Sequence, residues 1–313
     1  MTEPVLRPES PPVPPRADTR RTATAAAAGL VAVTAVWGST FVLIKDVVAT
    51  MPVADFLAVR FVIAAAVMVV AFWRPMRRLP RPQVHQAVAL GVVYGVAQVL
   101  QTLGLAVTPA AVSGFVTGMY VVLTPVIGAL VLRHRAPSTT WVAVAMSTAG
   151  LALLALRGFS VGTGELLVLA SAALYALHIV GLGAWSGARD ALGLATVQMV
   201  AIAALCTVAA LPGGVALPAS GGAWLGVLYT AVLAGAGALV VQTWAQAHLS
   251  ATRAAIIMTM EPVFAALFAV LLGGEHLTWR MLGGGLLVLG AMYVVELTPA
   301  RGAVTQPDPA GVR

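Results

Sequence analysis

Charge is scarce in this sequence. Only 9% of its 313 residues are Asp, Glu, Lys or Arg, against about 25% in a soluble globular domain. A chain of this length folded in water needs far more polar residues to cover its surface, so a soluble enzyme is excluded. Cysteine is nearly absent too. Cys206 stands alone, which rules out an intrachain disulfide and a thiolate metal cluster. No Gly-rich phosphate loop ending in Lys-Ser/Thr is present, which argues against an ATP-driven pump, and no HExxH motif supports a zinc intramembrane protease. No second His or carboxylate stands at ligand spacing from His178, so neither a metal site nor a cofactor is expected.

What remains is apolar. Sixty per cent of the residues are hydrophobic and the mean hydropathy is +0.94. The runs are long and continuous, unlike the alternating segments of about 10 residues that build a membrane barrel. A helix needs about 20 apolar residues to cross a bilayer, and ten such stretches can be read: 23–44, 53–72, 84–106, 110–132, 139–157, 164–185, 191–211, 222–244, 252–273 and 279–297. Turn chemistry marks most of the breaks, as at Met51-Pro52, Thr108-Pro109, Pro212-Gly213-Gly214 and Gly273-Gly274-Glu275. Residues 1–22 are Pro- and Arg-rich and read as a disordered cytoplasmic tail rather than a signal peptide, and 298–313 reads as a second tail.

The net charge of +7 implies no nucleic acid once its placement is considered. With a cytoplasmic N-terminus, 14 of the 18 basic residues fall on the inner side. Lys45, Arg157 and Arg280 fall outside, and Arg60 lies within a span. Lys/Arg excess marks cytoplasmic loops, so both termini are expected in the cytoplasm. The 17-to-1 excess of Arg over Lys points to a GC-rich bacterial genome, and hence to a bacterial plasma membrane.

The second half resembles the first at a shift of 138 residues. Trp37 falls on Tyr175, Thr40 on His178, Arg60 on Gln198, and Thr140-Trp141 on Thr278-Trp279. At a shift of 137, Thr124-Pro125-Val126 falls on Glu261-Pro262-Val263. The expected fold is an all-α membrane protein of ten transmembrane helices. Its repeats are 23–157 and 163–297, of five helices each. Five is odd, so the repeats are inverted, a common plan of secondary transporters with a midplane site.

Particular motifs then carry a resemblance. Ala35-Val36-Trp37-Gly38-Ser39-Thr40-Phe41, Ala58-Val59-Arg60-Phe61 and Ser113-Gly114-Phe115 through Thr124-Pro125 resemble the first, second and fourth helices of the EamA branch of the drug/metabolite transporter superfamily. Met260-Glu261-Pro262-Val263-Phe264-Ala265-Ala266-Leu267, Gly274-Glu275-His276-Leu277-Thr278-Trp279, Gly283-Gly284-Gly285 and Leu289-Gly290 are similar to its ninth and tenth. The resemblance implies ten helices, two repeats, and export or exchange of small metabolites. One departure stands out: Arg133-His134-Arg135 lies where the second repeat has Gly274-Glu275, so no role of Glu275 transfers to the first half.

The candidate site residues are the polar and aromatic groups that the spans do not explain. Arg60 at mid-bilayer costs at least about 2.5–3.5 kcal/mol and suits a substrate carboxylate or phosphate; snorkelling or a pair with Asp55 is the bland alternative. Glu261, beside Pro262, suits a proton or a cationic amine, or else caps backbone amides or pairs with Arg253. His178 lies three residues after Tyr175 on one helix face and could relay protons, or simply bond a neighbouring carbonyl. Trp37 and Tyr175 offer aromatic walls, and equally packing. Gln98, Gln101, Gln198 and Gln242 need partners in lipid, and some are expected to face a cavity. Thr40, Thr117, Tyr120 and Thr259 are weaker candidates for its lining. Pro125 and Pro262 are expected helix breaks. Small pairs such as Gly91/Gly95, Gly114/Gly118 and Gly222/Gly226 are expected to let helices approach closely.

The residues favour a secondary transporter of small metabolites, amino acid-like or other organic solutes, working by alternating access with protons as the candidate coupling ion. The alternative within the class is broad-range drug or cation efflux through Glu261 and the aromatics. A non-transporting membrane sensor or intramembrane enzyme would need an output domain or a catalytic constellation, and the chain shows neither.

Overall fold

The described residues of the apolar stretches are almost entirely helical. The computed structural model describes residues 17–131, 138–157, 160–185, 191–246 and 257–297. Helices α1 (Ala17–Val48), α2 (Val53–Arg77), α3 (Arg81–Val107), α4 (Ala110–Val131) and α5 (Ser138–Ala155) form the first half. The second contains α6 (Thr163–Trp185), α7 (Ala191–Ala210), α8 (Gly221–Leu228), a π-helical segment (Tyr229–Gly237), α9 (Ala238–Gln246), α10 (Glu261–Leu271) and α11 (Trp279–Leu297). Among the described residues, seven helical runs are long and apolar enough to cross a membrane, α8, the π segment and α9 together making one of them. Shorter apolar stretches, Ser138–Leu154, Glu261–Leu271 and Trp279–Val294, lie in α5, α10 and α11. Large apolar side chains such as Val70, Leu130, Leu225 and Leu286 point outward, as lipid-facing residues do. The chain is a multi-pass membrane protein.

Several boundaries differ from expectation for local reasons. Residues 17–22, read as tail, belong to α1. The second span runs five residues beyond Phe72, across a kink where Phe72 has φ −122° and ψ 22°. Pro75 causes it, because its ring cannot donate to the carbonyl four residues earlier and displaces that turn. The fifth span stops at Ala155, and Leu156–Arg157 then pairs antiparallel with Ser160–Val161. Pro125 does not break its helix. It sits inside a continuous α4, where the preceding Thr124 hydroxyl donates to the Tyr120 carbonyl at 2.7 Å. Pro262, by contrast, lies in the first turn of α10, after turn residues Thr259 and Met260. There its missing N–H is harmless. Arg133–Arg135, Arg253 and the tails beyond residues 17 and 297 lie outside the described residues.

The packing exchanges partners between the halves. Helix α2 packs on α7 and α5 on α11, while α3 packs on α6 as α9 and the π segment pack on α1. Likewise α4 packs on α6 as α10 packs on α1. Swapping the halves turns each pair into its counterpart, so the first helix of each half is wrapped by elements of the other. Close backbone approach makes this possible. A Cβ on Gly150 would stand 2.7 Å from the Gly284 carbonyl oxygen, and one on Gly284 would stand 2.8 Å from that of Gly150. Only glycine permits such a crossing of α5 and α11.

The resembling motifs acquire physical roles. On α1, the Trp37 indole N–H donates to the Ala234 carbonyl at 2.9 Å, and the Ser39 and Tyr229 hydroxyls bond at 2.8 Å. Both contacts seat the π segment. The Ala238 N–H, which an α-helix would direct to Ala234, goes instead to Leu233 and Gly235, so the Ala234 carbonyl can turn to Trp37. Between these two residues, Gly38 brings α1 onto α10, where a Cβ would meet the Ala265 nitrogen at 2.7 Å. Gly114 of α4 approaches the same Ala265 from another side. Small residues thus hold α10 between α1 and α4.

Candidate functional site

Tyr94, Gln98 and Gln101 stand at i, i+4 and i+7 on α3, and so share one face. That face carries the polar core. The Gln98 amide donates to the Tyr94 hydroxyl at 3.2 Å, and its oxygen accepts from Arg60 Nη1 of α2 at 3.5 Å. The Gln101 amide donates to Thr117 of α4 at 3.0 Å, and its oxygen accepts from the Tyr175 hydroxyl of α6 at 2.9 Å. Tyr94 meets Tyr175 and His178 edge-on, with ring centroids 5.2 and 5.1 Å apart. His178 Nε2 lies 2.7 Å from the Gln198 amide oxygen of α7, whose own N–H group donates to the Leu194 carbonyl at 3.4 Å. That orientation fixes the His178 proton on Nε2. On α10, the Glu261 carboxyl group accepts from the Tyr120 hydroxyl of α4. Tyr175 lies within electrostatic reach of Arg60, Tyr94, Tyr120 and Glu261, and Tyr94 within reach of Arg60 and Glu261. Six helices, drawn from both halves, therefore converge on one polar neighbourhood.

Arg60 is the least satisfied member. It is only 7% exposed, so it does not snorkel. No ion pair joins it to an acid among the described residues. Asp55, the partner in the alternative reading of Arg60, instead accepts from the Ala216 N–H at 3.3 Å. Arg60 Nε is buried without a hydrogen-bond partner, and the guanidinium leans on the Phe61 ring at 4.9 Å and the Phe56 ring at 5.9 Å. A planar cation with five donors and one long hydrogen bond has donors to spare, and a carboxylate or phosphate could match them bidentately. Glu261, half-buried beside tyrosine, offers the opposite charge. An ammonium group could lie between that carboxylate and the aromatic faces.

Of the residues expected from sequence, Arg60, Gln101, Tyr120, Tyr175, His178, Gln198 and Glu261 come together here. Trp37 and Thr40 do not join the network through their polar groups: the indole is committed to Ala234, and the Thr40 hydroxyl donates to the Trp37 carbonyl at 2.7 Å. Gln242 also lies apart, its amide directed to Met258 Sδ at 3.8 Å. Tyr94, which links the Arg60 side to the His178 side, was missed. Its signal was available, since it shares a helix face with two glutamines already singled out. Among the described residues no group of three or more His, Cys, Asp or Glu could hold a metal ion.

A model of the EamA-like transporter family matches residues 24–156 and again 162–297. An uncharacterized transporter of Archaeoglobus fulgidus is 31% identical over 270 residues, covering 86% of this chain and 85% of its own length. A solved crystal structure of a protein superposes with a TM-score of 0.62 at 20% identity, covering 87% of this chain and 96% of that one. At that identity, the likeness speaks to the fold alone.

Proposed function

Because the chain belongs to the EamA-like transporter family, we propose that it is a secondary transporter that exports or exchanges small metabolites with a carboxylate, amino acid-like solutes foremost. Its ten spans form two inverted five-helix repeats, 23–157 and 163–297, with both termini in the cytoplasm of a bacterial cell. The substrate sits between the repeats, with its carboxylate on Arg60 and its amino group toward Glu261 and the Tyr120 and Tyr175 rings. Gln101, His178 and Gln198 hold the walls in place. Alternating access carries the solute across, with protons as the coupling ion.

The observation that carries this reading is the buried Arg60 with an unpartnered Nε and no acidic partner among the described residues. An unpaired buried cation costs several kcal/mol, by the rough measure of buried ions. A site awaiting an anion explains why it is kept. A second reading, efflux of lipophilic cations, draws on Glu261 beside tyrosine, and one experiment separates the two. Proteoliposomes containing the parent, Arg60→Ala, Glu261→Ala or the double variant are tested for uptake and efflux of labelled amino acids and of a lipophilic cation. Carboxylate transport is expected to fail with Arg60→Ala. If the double variant keeps both uptake and efflux, the proposed site is wrong; if cation transport alone fails with Glu261→Ala and carboxylates never move, the second reading replaces the first.

A further inference from the structure

We propose that Glu275 is a latch between the two halves that holds shut the end of the bundle carrying residues 48–53, and that its release is a step of the transport cycle. The inference rests on the transporter reading above. Glu275 lies in the loop between α10 and α11, yet both of its oxygens reach the first half. Oε1 accepts from the Ala110 N–H at 2.5 Å and Oε2 from the Ala111 N–H at 3.2 Å. These are the first N–H groups of α4, which have no partner within their own helix, and the helix dipole favours a carboxylate there. Lys45, in the last turn of α1, completes the knot. Its ammonium group donates to the Thr108 carbonyl at 2.8 Å and stands 3.9 Å from Glu275 Oε1. The turn at Gly274, with φ +65°, aims the side chain across the interface, and a residue with a Cβ would adopt that backbone only under strain.

Two further ties close the same end. Asp55, in the first turn of α2, accepts from the N–H of Ala216 in the segment between α7 and α8, and Arg280 Nε of α11 donates to the Leu153 carbonyl of α5 at 3.1 Å. Burial follows the ties. From Ala110 to Val122 every residue of α4 is buried, whereas from Leu123 to Val131 only Gly128 is. Helix α2 shows the same gradient, with Asp55–Phe61 buried throughout and Phe72–Arg77 half-buried or exposed. Helices α2 and α4 are therefore enclosed near the Lys45 end and more exposed toward the other. For a solute at Arg60 to leave past Lys45, α4 must separate from the α10–α11 loop, and Glu275 is the group that must let go.

The test reads accessibility rather than transport. Ser113, one turn below the latch, is fully buried, so Ser113→Cys gives a reporter thiol. Its reaction with a small impermeant maleimide is followed in proteoliposomes, and the reporter-free chain corrects for native Cys206. Reporter labelling is expected to rise about 5- to 30-fold with Glu275→Leu, the population change that loss of one or two kcal/mol produces. Glu275→Gln keeps one acceptor and the side-chain shape, and raises it less. It also serves where Glu275→Leu does not fold. Labelling within about twofold of the parent in both variants, in monodisperse protein, overturns the latch. Thermal stabilisation of the reporter chain by amino acids, measured on the same samples, tests the transporter reading separately. Its absence in the parent counts against the Arg60 site and leaves the labelling result to stand for itself.

Discussion

Arg60→Met should leave stability nearly unchanged while abolishing carboxylate transport, and that contrast separates a binding residue from a structural one. The guanidinium is 7% exposed, bonded once at 3.5 Å and stacked on Phe61 at 4.9 Å. Methionine is nearly as long and carries no charge, so the variant escapes an insertion cost of about 2.5–3.5 kcal/mol. It loses a cation–π contact of roughly 0.5–2 kcal/mol. The long Gln98 bond is worth less than a well-made charged hydrogen bond of about 1.5–3 kcal/mol. The terms nearly cancel, so the melting temperature should stay within a few degrees of the parent at about 2–4 °C per kcal/mol. Binding has no such offset. Removing one partner of a buried charged pair costs about 3–5 kcal/mol, or two to three and a half orders of magnitude in half-saturation at about 1.4 kcal/mol per tenfold. Tryptophan-fluorescence melting and proteoliposome uptake, on one preparation, give both numbers. A variant that melts several degrees lower and transports with unchanged half-saturation would refute the reasoning, because Arg60 would then be holding helices together rather than waiting for an anion.

Two further outcomes follow from the packing. Trp37→Phe keeps the ring but loses the bond to the Ala234 carbonyl, so it should cost about 1 kcal/mol and increase amide hydrogen exchange within residues 229–237; unchanged exchange there would detach the π segment from α1. Gly38→Val forces α1 away from the Ala265 backbone, an overpacking of about 1–3 kcal/mol or more. It should lower the melting temperature, whereas the same change at Gly213, which has open space around it, should leave the melting temperature near the parent value.

Helix positions were legible because hydropathy alone decides them: a long apolar run has no stable alternative in lipid. What hydropathy cannot register is winding. The π segment has the same apolar composition as its flanks, and only Gly235 and Gly237 hint at it. A Cβ there would stand 3.3 and 3.2 Å from the carbonyls five residues earlier, an approach that π winding creates. Arg60 and Glu261 were legible as charges the topology left over, but their surroundings were not. Tyr94 reads like any aromatic in a span until its spacing from Gln98 and Gln101 is counted. The Glu275 contact joins residues 165 apart in sequence, and no local pattern announces it.

The repeat also explains why the two halves can hold one another with different chemistry. Trp37 and Tyr175 are counterparts at a shift of 138 residues, and each donates a hydrogen bond to the third span of the opposite half: Trp37 to Ala234, Tyr175 to Gln101. The first half supplies a side-chain acceptor in Gln101. The second has Leu239 at the corresponding place, which offers none, and there the acceptor is a backbone carbonyl that π winding makes available. Geometry has been kept while the chemistry has diverged. The same divergence puts Arg60 opposite Gln198 and His178 opposite Thr40. The proposed site between such repeats would be symmetric in shape and asymmetric in charge, which suits a solute with unlike ends held in one orientation.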